Sequence, residues 1–468
     1  MAKFHTTALA LALAVALPGC AMLEPRLPAA QPDLPVAWPM PATGQVAVGD
    51  TQAADVGWRD FFTDARLEQV IAQALDNNRD LRVAVLNVER AQAQYRIVRA
   101  DRLPGLGVTG QMERMGGDIP TSEQYSVTLG VAAFELDLFG RVRNLSQSAL
   151  QQYLATEQNQ RAAQLALIGQ VAGSWLALGA DRQSLAIARD TLATYEQSLG
   201  LQQKMFELGA TSALQLNQVR TLVETARADV ARYTGQVAQG TNALTLLVGQ
   251  PVDASLLPDN VDVAASGLAA LPAGLPSDVL LRRPDVMAAE HVLRGASANI
   301  GAARAAFFPS IRLTGGIGSA SGELSGLFES GTRIWNFMPQ ISLPIFQGGR
   351  LRANLGMATA DRDIALARYE QSIQNGFREV ADGLALSATL AEQRSAMEAL
   401  VEAAQKAHDL SQARYDAGMD SFLVLLDARR SLYSARQALV QVQLAEQANR
   451  IGLYKALGGG WVQGGVTP

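Results

Sequence analysis

Two patterns of apolar and polar residues recur along the chain. Long proline-free stretches rich in alanine, leucine, glutamine and arginine, at about 141–208 and 349–417, predict helices far longer than a globular domain needs. In shorter stretches apolar residues occupy every second position, which indicates β-strands with one apolar face. These strands pair off as hairpins at about 104–138 and 309–346. We therefore predict an α+β protein in which very long helices flank short strands.

The second half of the chain repeats the order of the first. Each long helix leads into a glycine turn, at about 206–214 and 415–423, and Gly209 and Gly418 lie 418 − 209 = 209 residues apart. Because glycine readily adopts positive φ, each turn is predicted to end one helix and begin another, and Asp420 or Ser421 can cap the new helix. The predicted division is a signal peptide (1–19), a proline-rich strap (20–57), repeat 1 (58–250), a linker (251–276), repeat 2 (277–460) and a C-terminal tail (461–468).

The N-terminus has the composition of a secretory signal. Lys3 precedes an apolar run at 8–17, which is too short to span a bilayer. Cys20, the single cysteine, follows this run, so no intrachain disulfide can form. A lone cysteine at this place resembles the acylated cysteine of a bacterial lipobox. The alternative is a chance cysteine in an ordinary signal.

The strands decide between a soluble and a membrane architecture. Four strands of about ten residues with one apolar face match tilted strands that cross a bilayer. An open strand edge in lipid leaves backbone groups unpaired, so such strands must close into a barrel. Four strands are too few, and two copies give eight strands with a filled interior, whereas three copies give twelve strands around a lumen. An ordinary soluble four-stranded sheet is the alternative.

Composition argues against several other classes of protein. The net charge of −5 and the lack of a basic stripe give no sign of nucleic-acid binding. The three histidines, His5, His291 and His408, cannot form a metal cluster with a lipidated Cys20, and the glycines at 315–318 fall in a predicted strand, not a phosphate loop. We therefore expect no enzyme activity, no metal and no cofactor beyond the covalent lipid.

Several motifs together resemble one family. They are QYRIVRADRLP at 94–104, LRRPD at 281–285, AARAAFFPS at 302–310, the two glycine turns and the lipobox. The sequence resembles TolC-type outer-membrane factors, specifically the acylated OprM/NodT branch. The resemblance implies an internally duplicated chain whose long helical hairpins form a periplasmic α-barrel, with four transmembrane β-strands per chain and a twelve-stranded barrel in a homotrimer.

The same resemblance implies a function and its partners. The channel would sit in the bacterial outer membrane, anchored by lipid and extending into the periplasm. It would passively conduct drugs or other solutes received from a periplasmic adaptor and an inner-membrane pump, with an RND pump favoured over an ABC pump. The alternative from another class is a lipid-anchored coiled-coil tether or scaffold without a pore.

Family members close the tunnel where the tip helices converge, and the matching positions here are Leu423, Asp427 and Arg430. Leu423 and Asp427 share a helix face, and Asp427 and Arg430 are spaced to pair. The alternative is a solvated ion pair on a helix surface. Asp420 and Val424 occupy positions where some relatives carry a gating arginine and aspartate. The tip-turn residues implied to contact adaptor or pump are Gly209, Thr211, Ser212, Gly418, Asp420 and Ser421.

Overall fold

The computed structural model describes residues 23–30, 56–118, 120–261 and 277–459. The predicted signal peptide, Cys20, most of the strap, much of the linker and the C-terminal tail lie outside these residues. The described helices are α1 (Trp58–Phe61), α2 (Ala65–Asn77), α3 (Arg79–Ala100), α4 (Arg141–Glu207), α5 (Ala213–Val248), α6 (Pro284–Ala305), α7 (Arg350–Asp416) and α8 (Phe422–Ala456). The described strands are β1 (Leu106–Met115), β2 (Ser122–Leu136), β3 (Ser310–Ser321) and β4 (Arg333–Ser342).

The two halves contain matching elements. The helices α4 and α7 have 67 residues each, and the helices that return from their tips, α5 and α8, have 36 and 35 residues. In α4 an 18-residue window is long and apolar enough to cross a membrane by length and composition. More than half of that window is buried inside the structure, as in the core helix of a packed protein.

The four strands form one antiparallel sheet in the order β1-β2-β3-β4. Each hairpin supplies two neighbouring strands, and β2 pairs with β3 to join the two halves. Leu129 of β2 lies between Val108 of β1 and Ile317 of β3, and Ile317 is in turn opposite Trp335 of β4. Because directly paired residues project from the same face, one face of the sheet is apolar across all four strands.

The alternation predicted for β2 is wrong at its C-terminal end. A β-bulge shifts the register between Val131 and Phe134, and Ala133 has a φ of 53°. The amide of Ala133 donates to Thr314 Oγ1 at 3.0 Å. The extra residue brings Phe134 onto the apolar face and turns Glu135 to the opposite face, where strict alternation would have put Glu135 among the apolar residues.

The chain divides into two compact units, and the larger core lies in the unit that contains 33–85, 159–286 and 373–468. Its centre is aromatic: the rings of Phe61 and Tyr454 stack with centroids 3.9 Å apart, and both residues are fully buried. The Tyr454 hydroxyl donates to the carbonyl of Val56 at 2.7 Å, and Trp175 Nε1 donates to the carbonyl of Leu256 at 2.9 Å. These bonds satisfy the polar atoms that Tyr454 and Trp175 bring into the core, whereas the buried Nε1 of Trp58 has no hydrogen-bond partner among the described residues.

Arg283, from the LRRPD motif, is a buried cation in the same unit. Its guanidinium donates to Asp285 at 3.0 and 2.8 Å and to the carbonyl of Ala456 at 2.8 Å, and it lies 2.9 Å from Glu379. One side chain therefore ties the start of α6 to α7 and to the end of α8. A buried guanidinium with this many acceptors has its desolvation cost offset by charge-assisted bonds.

Candidate functional site

The two tip turns have the same backbone. Gly209 and Gly418 have φ values of 72° and 71°. In the second turn the amides of Gly418 and Met419 donate to the carbonyls of Tyr415 and Arg414, both at 2.9 Å. The first turn contains the same pair of bonds at matching positions. This is the left-handed glycine ending that satisfies the last carbonyls of a helix.

The side chains that hydrogen-bond within the first tip turn are neutral. Ser212 lies at the N-cap of α5, and its hydroxyl accepts from the amide of Gln215 at 3.2 Å. The hydroxyl of Thr211 donates to Oε1 of the same glutamine at 2.5 Å. The sequence therefore starts α5 with an ordinary serine cap.

An ion pair connects the two sides of the second tip turn. Both carboxylate oxygens of Asp420 accept from Arg414, at 2.6 and 2.8 Å, and this hydrogen-bonded guanidinium lowers the pKa of the carboxyl group. Ser421 lies at the N-cap of α8, but its side chain makes no capping bond. Ser421 therefore occupies the predicted cap position, but the expected side-chain capping bond is absent there. Asp420 does not cap the helix, because its carboxylate forms the stronger bidentate bond to a guanidinium.

The three residues implied to close the tunnel, Leu423, Asp427 and Arg430, lie on the exposed face of α8. Arg430 Nη2 donates to Asp427 Oδ1 at 2.7 Å, and both side chains are about two-thirds exposed. Leu423 is 57% exposed, which is unusual for a leucine in a helix that buries others. The opposite face of α8 packs Phe422, Leu425 and Leu426 against Val219 of α5. The structure thus presents an apolar residue and an ion pair on a face that the described residues leave uncovered.

Arg429 is a residue of the second tip that the sequence analysis does not select. Its two terminal nitrogens donate to the hydroxyl of Ser198 at 2.5 Å and to Gln412 Oε1 at 2.6 Å, so it connects α8 to α4 and α7. Burial lowers the pKa of this guanidinium. The signal for it was the pair Arg429–Arg430: adjacent helix positions point about 100° apart, so one arginine faced outward and the other inward.

The sheet provides the second feature of functional interest. The apolar face is largely exposed, with Leu106 and Trp335 each 76% exposed. The opposite face is mostly polar or small, although Met115, Ile334 and Met338 also project from it. The side chains that the register places on the apolar face include Leu106, Val108, Met112, Tyr125, Val127, Leu129, Val131, Ile317, Trp335 and Phe337. The side chains on the other face include Thr109, Gln111, Ser126, Thr128, Thr314 and Asn336.

An uncovered apolar sheet joined to very long helical hairpins is the arrangement of an outer-membrane channel. Strands with a lipid-facing apolar side and a polar side are typical of transmembrane barrels. The model of the family described as "Outer membrane efflux protein" matches residues 70–250 and 275–459, which is most of the chain. The chain belongs to this family.

Curated relatives and solved structures agree with this assignment. The toluene efflux pump outer membrane protein TtgC of Pseudomonas putida is 47% identical over 443 residues, covering 92% of this chain and 91% of the relative. The cation efflux system protein CusC of Escherichia coli is 44% identical over 456 residues, covering 96% and 98%. The open state of the Neisseria gonorrhoeae MtrE outer membrane channel has a TM-score of 0.87 at 39% identity, covering 94% of this chain and 99% of that chain.

These similarities settle the class of protein. The resemblance to TolC- and OprM-type channels is confirmed, as are the α+β channel fold and the outer-membrane location. The chain is the outer-membrane channel component of an efflux system, and it is a transport protein, not an enzyme. A tether without a pore and a soluble four-stranded sheet do not fit a family of outer-membrane efflux channels.

Proposed function

We propose that three copies of this chain form one continuous efflux channel, with a twelve-stranded barrel in the outer membrane and a helical tunnel in the periplasm. The channel passively conducts solutes delivered by a periplasmic adaptor and an inner-membrane pump. The pump is of the RND type, which the resemblance to the OprM branch favours.

The open edges of the sheet are the observation that carries this proposal. Within the described chain β1 pairs only with β2, and β4 pairs only with β3. Each outer edge therefore leaves a row of backbone donors and acceptors that lipid cannot satisfy. Pairing β4 of one copy with β1 of the next removes both edges, and three copies give the smallest such closure with a lumen.

Native mass spectrometry of the purified protein in mild detergent tests this assembly. Three chains are expected, with no stable folded monomer, because a monomer would expose two strand edges to lipid. A monodisperse monomer with full β-structure would refute the barrel proposal and leave the open edges unexplained.

We further propose that the second tip closes the resting channel. In a trimer, Leu423, Asp427 and Arg430 each become a ring of three at the narrow end of the tunnel. Three carboxylates brought together repel one another unless arginine or a bound cation offsets them. Such a ring gives a poorly conducting, cation-preferring constriction.

The tip turns are proposed as the surface that the adaptor or pump contacts. Next to Gly209 and Gly418, the apolar residues Leu208 and Met419 are strongly exposed, at 83% and 63%. Exposed apolar side chains beside polar turn residues such as Thr211 and Asp420 are common at sites of protein contact.

Acylation of Cys20 is the proposed means of anchoring. The motive is a single cysteine directly after the signal sequence. In cells labelled with palmitate, the parent protein should carry label and the Cys20→Ser variant should carry none, while barrel insertion depends on the strands. Label that persists in the variant would rule out acylation at this site.

The choice of solute is proposed to lie with the pump. Relatives at 44–47% identity are named for toluene efflux, antibiotic efflux and cation efflux, three chemically unrelated kinds of cargo. A wide tunnel that serves such different pumps imposes little selection of its own beyond size and charge.

A further inference from the structure

A row of charged and polar residues crosses three strands at one end of the sheet. Glu135 of β2 is directly opposite Arg312 of β3, which is opposite Gln340 of β4. The next row, Leu136 with Ile311 and Ile341, projects from the apolar face, so the charged row lies on the polar face. The β-bulge before Phe134 is what keeps Glu135 on this side.

A cavity of about 340 Å³ adjoins this row, where β2, β3 and β4 meet the starts of α4 and α7. Three guanidinium groups line it, those of Arg141, Arg312 and Arg350. Two carboxylates also line it, those of Glu135 and Asp137. The balance of charge therefore depends on how these carboxylates are used.

Both carboxylates are already engaged by other groups. Glu135 accepts from Arg141 Nε and Nη2 at 2.8 and 2.7 Å, a bidentate pair. The oxygens of Asp137 accept from the amides of Val142 and Arg143, at 3.0 and 2.7 Å, and so cap α4.

The positive charges of the other two arginines, Arg350 and Arg312, are less well offset by nearby groups. Arg350 donates to Oε1 of Gln347 at 3.3 and 2.8 Å, and a neutral amide does not offset its charge. Arg312 lies near Glu135 in the same row, but that carboxylate is bound by Arg141. Among the described residues, Arg141 is therefore the one lining guanidinium that is hydrogen-bonded to a carboxylate, and Arg312 and Arg350 are not.

We propose that this cavity binds the oxyanion groups of solutes that pass through the channel, with Arg312 and Arg350 as the binding residues. The proposal rests on the three-copy channel, in which the apolar face contacts lipid and the polar face lines the lumen. Three such cavities then form a positive belt at the base of the barrel. Carboxylate, phosphate or sulfate groups suit paired guanidinium donors.

The first test measures the binding of pyrophosphate to the purified protein by isothermal titration calorimetry, in a zwitterionic detergent and at constant ionic strength. The parent should bind, and both Arg312→Gln and Arg350→Gln should weaken binding about tenfold or more through loss of charge-assisted bonds. The matched control is Arg352→Gln, which removes the same charge two residues along α7, where the side chain does not line the cavity. Equal binding by the parent and both cavity variants would overturn the proposal.

The second test separates this proposal from the one on which it rests. Native mass spectrometry of each variant should give three chains, which shows that the assembly is intact. A trimer that does not bind pyrophosphate contradicts the oxyanion site alone, whereas a monomer contradicts the channel itself. In planar bilayers with a potassium chloride gradient, Arg312→Gln should shift the reversal potential towards cation preference, and Arg352→Gln should leave it unchanged. An unchanged potential in Arg312→Gln would argue against a belt in the lumen.

Discussion

The two tip turns share a backbone and differ in their charges. At both tips a glycine with φ near 70° ends a 67-residue helix, and the same two amide bonds close the turn. The first turn is completed by neutral groups, Thr211, Ser212 and Gln215. The second turn holds Asp420 in a bidentate pair with Arg414, and Asp427 pairs with Arg430 about two to three helical turns further on.

This difference separates what the fold needs from what the function needs. A sharp reversal between two long helices requires positive φ, which explains why glycine occupies both positions. Charge at the turn is not required, because the first tip folds with hydroxyl and amide groups alone. The position that corresponds to Asp427 in the first repeat is 427 − 209 = 218, and it carries Gln218. We infer that the Asp427–Arg430 pair serves the channel, whereas the Arg414–Asp420 pair stabilises the second turn.

The largest effect is expected from removing the exposed ion pair of the second tip. Asp427→Ala combined with Arg430→Ala takes away both charged rings from the proposed constriction, so the resting channel should open. Single-channel conductance should rise severalfold with less cation preference. Cells that carry the variant should become sensitive to large antibiotics that the outer membrane normally excludes.

The matched control is Gln218→Ala at the first tip, where no charge is lost. Its conductance and the antibiotic tolerance of its host should stay close to those of the parent. If the double variant conducts like the parent, the charged rings do not close the channel, and the Leu423 ring becomes the candidate closing contact.

A smaller effect is expected from acid. The pKa of Asp420 is lowered by its hydrogen bonds to Arg414, so the pair stabilises the second turn above the ordinary aspartate pKa of about 3.9. That contribution is lost as the pH falls through the lowered pKa. Spin labels at Ala417→Cys and Leu208→Cys, which occupy matching positions, report on the two turns. The label at 417 should gain mobility in acid, and the label at 208 should not.

Asp420→Asn provides the control for this titration. In that background the label at 417 should be mobile at neutral pH and should no longer respond to acid. Equal loosening of both turns at the same pH would show that acid acts on the helices in general and not on the Arg414–Asp420 pair.

Much of the fold is predictable from this sequence because its elements are long and regular. The helical stretches lack proline over more than sixty residues, and the strands alternate cleanly over most of their length. The bulge in β2 was not predictable, since Ala132 and Ala133 fit either face equally well. It is set by pairing with β3, 181 residues away, where Thr314 Oγ1 accepts a hydrogen bond from the amide of Ala133.

The side-chain contacts of the second tip are harder to predict from the sequence than the fold is. Spacing alone indicates the Asp427–Arg430 pair, because residues three apart are neighbours on a helix. Arg414 and Asp420 are six apart across a turn, so their pairing depends on how the turn folds back on itself. The contacts of Arg429 with Ser198 and Gln412 depend on packing between three helices, which no local pattern encodes.

The central claim is that three copies of the second tip converge on the channel axis and that the first tip does not. Site-directed crosslinking tests this most directly, since Cys20 is the only cysteine in the sequence and the proposed acylation would block its thiol. In a native membrane treated with a short bismaleimide, Asp427→Cys should give dimers and Gln218→Cys should remain monomeric on a denaturing gel. Crosslinking at 218 without crosslinking at 427 would contradict the account.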